Sequence, residues 1–312
     1  MPRLQQTIAQ PASLKGIGFI TGAEITMRFR PAPENSGVSF CRVDRPGLPL
    51  IPARTEFIVP CDRRTVIEKD GVRVELTEHV LAALAGLQID NCVVELNAPE
   101  PPGSDGSARE FAFALLEAGI VQQAVRRDVH EIREGIRIHS HDGLRMPDSH
   151  LSAQPSPRNC LTISYDLDYG PNSPIPRQSL SLDITPQMFI SELAYSRTFV
   201  LESEVAALKA QGIGTRVTTR DVLVFSDRGV IDNELRAVDE CVRHKILDCV
   251  GDLALAGCDF TGFVSAHRSG HRLNQQLASR LREQYLNAQR PSSDTTKHSA
   301  DETVPVRRRR AA

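Results

Sequence analysis

Short segments rich in Val, Ile, Phe and Thr, bounded by Pro, Gly or Asn, occupy residues 24–29, 38–43 and 56–59. That pattern predicts β-strands there. Over residues 77–86 the spacing becomes helical, with Thr77 as N-cap, Glu78 in the first turn and Gly86 at the stop. A strand over 91–96, a loop over 99–106 and a helix over about 107–118 follow. The second half repeats this order: a helix over about 239–256 closed by Gly257, a strand over 261–266, and a helix starting near His271. The recurrence predicts an α+β fold of two domains with similar topology, each a β-sheet layered against helices, although α+β chains also alternate this way by chance. The expected domains are residues 1–127 and 128–286, split at a charged stretch near 126–129 that precedes a strand over 132–138. From residue 287 the chain turns polar and Ser/Thr-rich, so 287–312 is expected to be a disordered tail.

Composition narrows the function classes. Hydrophobic residues make up 40% of the 312, charged residues 24%, and the formal net charge is -2, so no global basic field exists to hold nucleic acid. The four arginines at 307–310 are read as solvated charge. No apolar run reaches the length of a membrane span and the start does not read as a secretory signal. A cytoplasmic protein without an integral membrane segment, monomeric, is expected. The seven cysteines are odd in number, scattered, and form no Cys-x-x-Cys pair, which suits reduced core residues.

Nine histidines are few enough to weigh singly. His130, His139, His141, His150 and His298 lie in or beside polar segments. His139 and His141 would share one strand face, but no third ligand of suitable type sits near them in sequence. His244, Asp248 and Asp252, at i, i+4 and i+8, form one helical stripe that places an imidazole and a carboxylate for one cation. Val242, Ile246, Val250 and Leu253 occupy the opposite side. A helix apolar nearly all round is buried, and buried carboxylates must be paired or bound to metal. His79 follows Glu78, and its neighbours at i+3, i+4 and i+7 are Ala82, Ala83 and Gly86. That small-residue face admits a close partner, yet a surface His79 beside a capping Glu78 is an equal reading. If His79 joined the later pair, two histidines and a carboxylate would leave an open position, the arrangement of a catalytic zinc site.

Several spaced motifs then carry a resemblance. Ile-Pro-Ala-Arg at 51–54, Thr-Glu-His at 77–79, Ile-Asp-Asn at 89–91, Asp-Gly-Ser at 105–107, Ser-Arg-Thr-Phe at 196–199, Val-Arg-His-Lys-Ile-Leu-Asp at 242–248, Gly-Asp-Leu at 251–253 and His-Arg-Ser-Gly-His at 267–271 resemble the UDP-3-O-acyl-N-acetylglucosamine deacetylase (LpxC) family across most of residues 5–285. The resemblance implies an active site at the domain interface, with zinc, or Fe2+ as the alternative, on His79, His244 and Asp248. It implies Glu78 as general base, His271 as a protonated catalytic histidine oriented by Asp252, and Lys245 and Thr198 at the oxyanion. Phe199, Arg268 and Lys245 would contact an acylated UDP-amino-sugar, and an insert over about 200–225 would pass its acyl chain. The implied reaction is hydrolysis of the N-acetyl group, the committed step of lipid A biosynthesis.

Three places depart from the family pattern. Ile20 stands where a histidine is usual, Arg-Val-Thr-Thr-Arg-Asp at 216–221 replaces a Gly-Gly-Ser-Leu-Asp-Asn run, and Arg268 stands where some members have lysine. The altered insert leaves open a zinc amidohydrolase acting on a different acetamido sugar. A non-catalytic, zinc-stabilised binding protein is the other alternative, but it would need neither Glu78 nor His271.

Overall fold

The computed structural model describes residues 3–140 and 148–289. The chain beyond 289, His141 and the arginines at 307–310 therefore lie outside the described residues. One five-stranded sheet runs, in spatial order, Ala12–Ile17, Glu24–Pro31, Cys92–Leu96, Val38–Arg42 and Leu50–Pro52. A second runs Ile136–His139, His150–Gln154, Asp259–His267, Leu161–Leu167 and Gln178–Asp183, with Val129–Glu131 also beside Asp259–His267. In both, successive pairings are antiparallel, antiparallel, parallel and antiparallel. In both, the strand latest in sequence is the central one, inserted between the second and third of the other four in chain order. The fold is thus α+β, and its two halves share one strand order. These strands are buried on one side: every second residue of Glu24–Pro31 up to Phe29, and of Asp259–His267, is buried.

Five longer helices connect and cover the sheets: α1 (Glu78–Gly86), α2 (Arg109–Glu117), α3 (Glu202–Ala210), α4 (Glu240–Ala254) and α5 (His271–Ala288). In the first half α1 precedes the central strand Cys92–Leu96 and α2 follows it, while in the second α4 and α5 stand in the same relation to Asp259–His267. The helix layers meet where α1 packs on α4. A Cβ on Gly251 of α4 would lie 2.0 Å from the Glu78 carbonyl oxygen and 3.1 Å from the Ala82 nitrogen of α1. Glycine is required at that crossing, because it lets the two backbones touch. Ala82 and Ala83 are fully buried, so the small-residue face of α1 is the face given to its neighbours.

Three local expectations differ. Residues 132–138 are not one strand: Val129–Glu131 pairs in parallel with Asp259–His267, and Ile136–His139 pairs antiparallel with His150–Gln154. The break follows from Ile132, buried against Gly262, and from the exposed Arg133, Glu134 and Gly135 that turn the chain toward a different neighbour. Residues 55–57 form a 3-10 turn before the two-residue strand Ile58–Val59. Thr77 occupies the N-cap of α1, but its hydroxyl makes no cap bond and instead donates to the Thr65 carbonyl at 3.4 Å. The last helix also runs to Ala288, past the expected start of the polar tail.

Residues 199–226 fold as a small strand–helix–strand unit in which Phe199–Leu201 pairs in parallel with Leu223–Ser226 across α3. The unit is tied to the first half. Arg216 donates to the Gly22 carbonyl at 2.9 Å, Gly214 to the Phe19 carbonyl at 2.9 Å, and Thr198 to the Gly106 carbonyl at 2.8 Å. Within the divergent 216–221 run, Thr218 donates from both its amide and its hydroxyl to Asp221 Oδ2 at 2.8 Å. All seven cysteines are free, five of them buried.

Candidate metal centre between the helix layers

The α1–α4 contact that Gly251 permits brings His79 of α1 up to His244 and Asp248 of α4. One ligand atom from each of the three lies within 4.8 Å of the others. His79 Nε2 is 3.6 Å and His244 Nε2 is 3.4 Å from Asp248 Oδ1. His244 Nδ1 lies 3.0 Å from the Ser196 carbonyl, which can only accept, so Nδ1 carries the proton and Nε2 offers its lone pair to the centre. Burial, with the nearby His79 and Lys245, holds the His244 pKa down at about 4, so the ring is neutral and its contact with Asp248 is not an ion pair. Asp248 stays ionised well below the usual carboxylate range. Burial opposes that charge, but the cations Lys245 and His271 outweigh it. Asp248 Oδ1 is buried and has no hydrogen-bond partner. An orphaned buried carboxylate oxygen is expensive, and with two imidazole nitrogens facing it the donor set fits a divalent transition metal.

Beside these three sits a proton-handling group. His271, at the start of α5, bonds through Nδ1 to Asp252 Oδ2 at 2.9 Å, while its Nε2 lies 3.8 Å from both Glu78 Oε1 and Asp248 Oδ2. Burial disfavours the imidazolium, yet Asp252, Asp248 and Glu78 prevail and raise its pKa to about 9. Glu78 moves the other way from an ordinary carboxyl. Its burial, with the charges of Asp252 and Asp248, raises its pKa against the opposing pull of His271 and His79. A carboxylate easily protonated next to an imidazole that holds its proton is a matched base and acid.

The remaining predicted residues separate. The Lys245 ammonium meets Asp248 Oδ2 at 2.8 Å, and although burial opposes its charge, Asp248 keeps the pKa well above the ordinary value. The Phe199 ring stands edge-on to His244 with centroids 6.2 Å apart. Thr198 is fixed by its backbone to Gly106 and Leu223. Arg268, with a positive φ of 48°, extends to an ion pair with Asp168 at 2.7 Å.

Sequence reasoning missed the supports. Thr65 is fully buried. Its amide donates to Glu78 Oε2 at 3.0 Å, its hydroxyl donates to Asp252 Oδ1, and that hydroxyl accepts from Gln275 at 2.9 Å. Asn274 donates to Asp252 Oδ2 at 2.9 Å. The buried Arg197–Glu240 pair, at 2.8 Å, fixes the 196–199 segment to the first turn of α4. No spacing rule flags Thr65, because it acts from another element; Asn274, three residues after His271 and one turn along the same helix face, was within reach of helical spacing.

The family model described as UDP-3-O-acyl N-acetylglycosamine deacetylase, LpxC, matches residues 5–283. A protein of Myxococcus xanthus named UDP-3-O-acyl-N-acetylglucosamine deacetylase is 35% identical over 306 residues, covering 98% of this chain and 90% of its own length. A protein of the same name from Mannheimia succiniciproducens is 34% identical over 88% of both chains, and one from Coxiella burnetii is 33% identical over 89% of both. With a match that spans both sheets and every element of the centre, this chain belongs to the UDP-3-O-acyl N-acetylglycosamine deacetylase (LpxC) family.

Proposed function

We propose that this chain is a zinc-dependent deacetylase that hydrolyses the acetamide of UDP-3-O-acyl-N-acetylglucosamine to acetate and a free amine in lipid A biosynthesis, with His79, His244 and Asp248 as the metal ligands. The observation that carries the reading is Asp248 Oδ1, buried and unpartnered between two imidazole nitrogens. Two imidazoles and a carboxylate suit Zn2+, and Fe2+ is the alternative. A divalent ion held there supplies positive charge that polarises the acetamide carbonyl and eases ionisation of the attacking water.

Glu78 is the base that takes the water's proton, and Thr65 keeps its second oxygen engaged so that Oε1 faces the site. His271, protonated and braced by Asp252, delivers a proton to the departing amine nitrogen. Thr198 and Lys245 face the oxyanion, with preorganised charge in a water-poor site supplying much of the stabilisation. Phe199 forms an apolar wall beside His244, and Arg268 with Lys245 receives the substrate's diphosphate. The shared strand order supports domains at 1–127 and 128–286, with the acyl passage in the unit around 200–225. No helix among the described residues is long and apolar enough to cross a membrane; we take the protein to act as a monomer in the cytoplasm.

The test is Glu78→Gln. It should retain metal while acetate release from the acylated UDP-sugar falls by roughly 10²–10⁴-fold. Unchanged turnover would remove Glu78 from the role of base.

A further inference from the structure

His139 has no third ligand near it in sequence, but the second sheet supplies neighbours from other strands. His139 lies directly opposite His150, and His150 directly opposite His267. The three imidazoles form a row, with ring centroids 5.9 Å apart for the first pair and 5.1 Å for the second. Directly opposed residues on one sheet face hold their Cβ atoms about 4.5–5.5 Å apart, a span that one ion between two imidazoles can bridge. His139 is exposed, so rotation of its side chain toward the other two rings is open to it.

The hydrogen bonds select a tautomer suited to metal binding. His267 Nδ1 is 2.7 Å from Asp166 Oδ2, and Asp166 is also held by Arg177 at 2.7 Å. His150 Nδ1 is 3.2 Å from the Asp148 carbonyl. A carboxylate and a carbonyl both accept, so each Nδ1 carries the hydrogen and each Nε2 keeps its lone pair. An imidazole whose Nδ1–H is fixed by an oxygen acceptor is the usual form of a metal-bound histidine, because the acceptor orients the ring and raises its basicity. The nearby guanidinium of Arg177 is compensated by Asp166 and that of Arg268 by Asp168, which leaves the row without an opposing uncompensated cation from these two.

We propose that His150 and His267, with His139 as the third ring, form a second site for a divalent transition-metal ion that prefers imidazole, separate from the centre between α1 and α4. Its ligands come from three neighbouring strands of the second sheet, Ile136–His139, His150–Gln154 and Asp259–His267, and owe nothing to α1 or α4. The site is open, with water completing the coordination of the ion.

The test is Ni2+ binding by equilibrium dialysis, first to Asp248→Ala, which lacks the interface centre, and in parallel to zinc-loaded wild-type protein, which keeps it filled. Both should bind one further Ni2+ per chain, and adding His150→Ala or His267→Ala should weaken that binding at least about tenfold, the loss of one ligand of a metal site commonly being of that order or more. Absence of saturable Ni2+ binding in the zinc-loaded protein overturns the proposal. So does binding that survives both histidine substitutions, since it would then come from other residues, such as His141 or His298. Because the readout is independent of acetate release, failure here leaves the deacetylase reading intact.

Discussion

Asp252 governs the acid end of the site. Its Oδ2 meets both His271 Nδ1 and the Asn274 amide, and its Oδ1 takes the Thr65 hydroxyl, so its charge is fixed against one edge of the imidazole. Burial would drive the proton off His271, but the three carboxylates around it win and raise the pKa from 6.5 to about 9. The imidazolium therefore stabilises the folded state below pH 6.5, and that contribution is lost as the pH rises through about 9. Metal removal gives the sharper test, since a cation on Asp248 opposes the carboxylate field. An NMR titration of the chelated protein should find His271 near pH 9, and adding zinc should move the value down; a value at or below 6.5 without metal would contradict the arrangement. His271 and Asp252 were both visible in the sequence, one through family motifs and the other through helical spacing. Thr65 was not, because a threonine at the edge of a strand shows no periodicity or charge that separates it from any other.

At the scale of elements, the centre depends on how near α1 and α4 approach. Gly251 stands one turn beyond Leu247 on α4, where any side chain would enter the Glu78 carbonyl of α1. Gly251→Ala must push the helices apart, and overpacking of this kind costs about 1–3 kcal/mol. The same displacement pulls His79 from His244 and Asp248. We expect a lower midpoint in urea together with zinc affinity reduced at least tenfold; loss of stability with unchanged affinity would mean that the ligand geometry does not depend on this crossing. The pattern of α4 announced its burial correctly, since His244, Asp248 and Asp252 all lie in its buried set. It could not announce which helix would cover it. His79 stood at even odds between surface and site, and what resolves its position is the pair of small-residue faces meeting at Gly251 and Ala82, a long-range fit that local spacing does not encode. The mistaken strand over 132–138 has a similar origin: apolar alternation runs through Ile132, Ile136 and Ile138, but the chain changes strand partner between them.

For the whole molecule, two sheets of the same strand order each contribute the helix that precedes their central strand, and the centre forms where those helices meet. The repeated helix–strand–helix order was legible in the sequence because each half has its own one-sided burial. The small unit at 199–226 was legible only through resemblance, since the apolar positions of α3 fit a surface helix equally well, and none of its residues is buried. Its anchors from Gly214 to Phe19 and Arg216 to Gly22, with the bond from Thr198 to Gly106 just before it, join it and the Ser196–Phe199 segment to the first half, so both halves shape the walls as well as the ligand set. A metal ion at the centre would therefore link the halves. The most direct measurement is anomalous diffraction at the zinc edge from crystals of the protein purified with its metal. The account predicts a peak between α1 and α4, roughly 2.0–2.2 Å from His79 Nε2, His244 Nε2 and Asp248 Oδ1. A peak coordinated by His244 and Asp248 without His79, or no peak at that place, would contradict it.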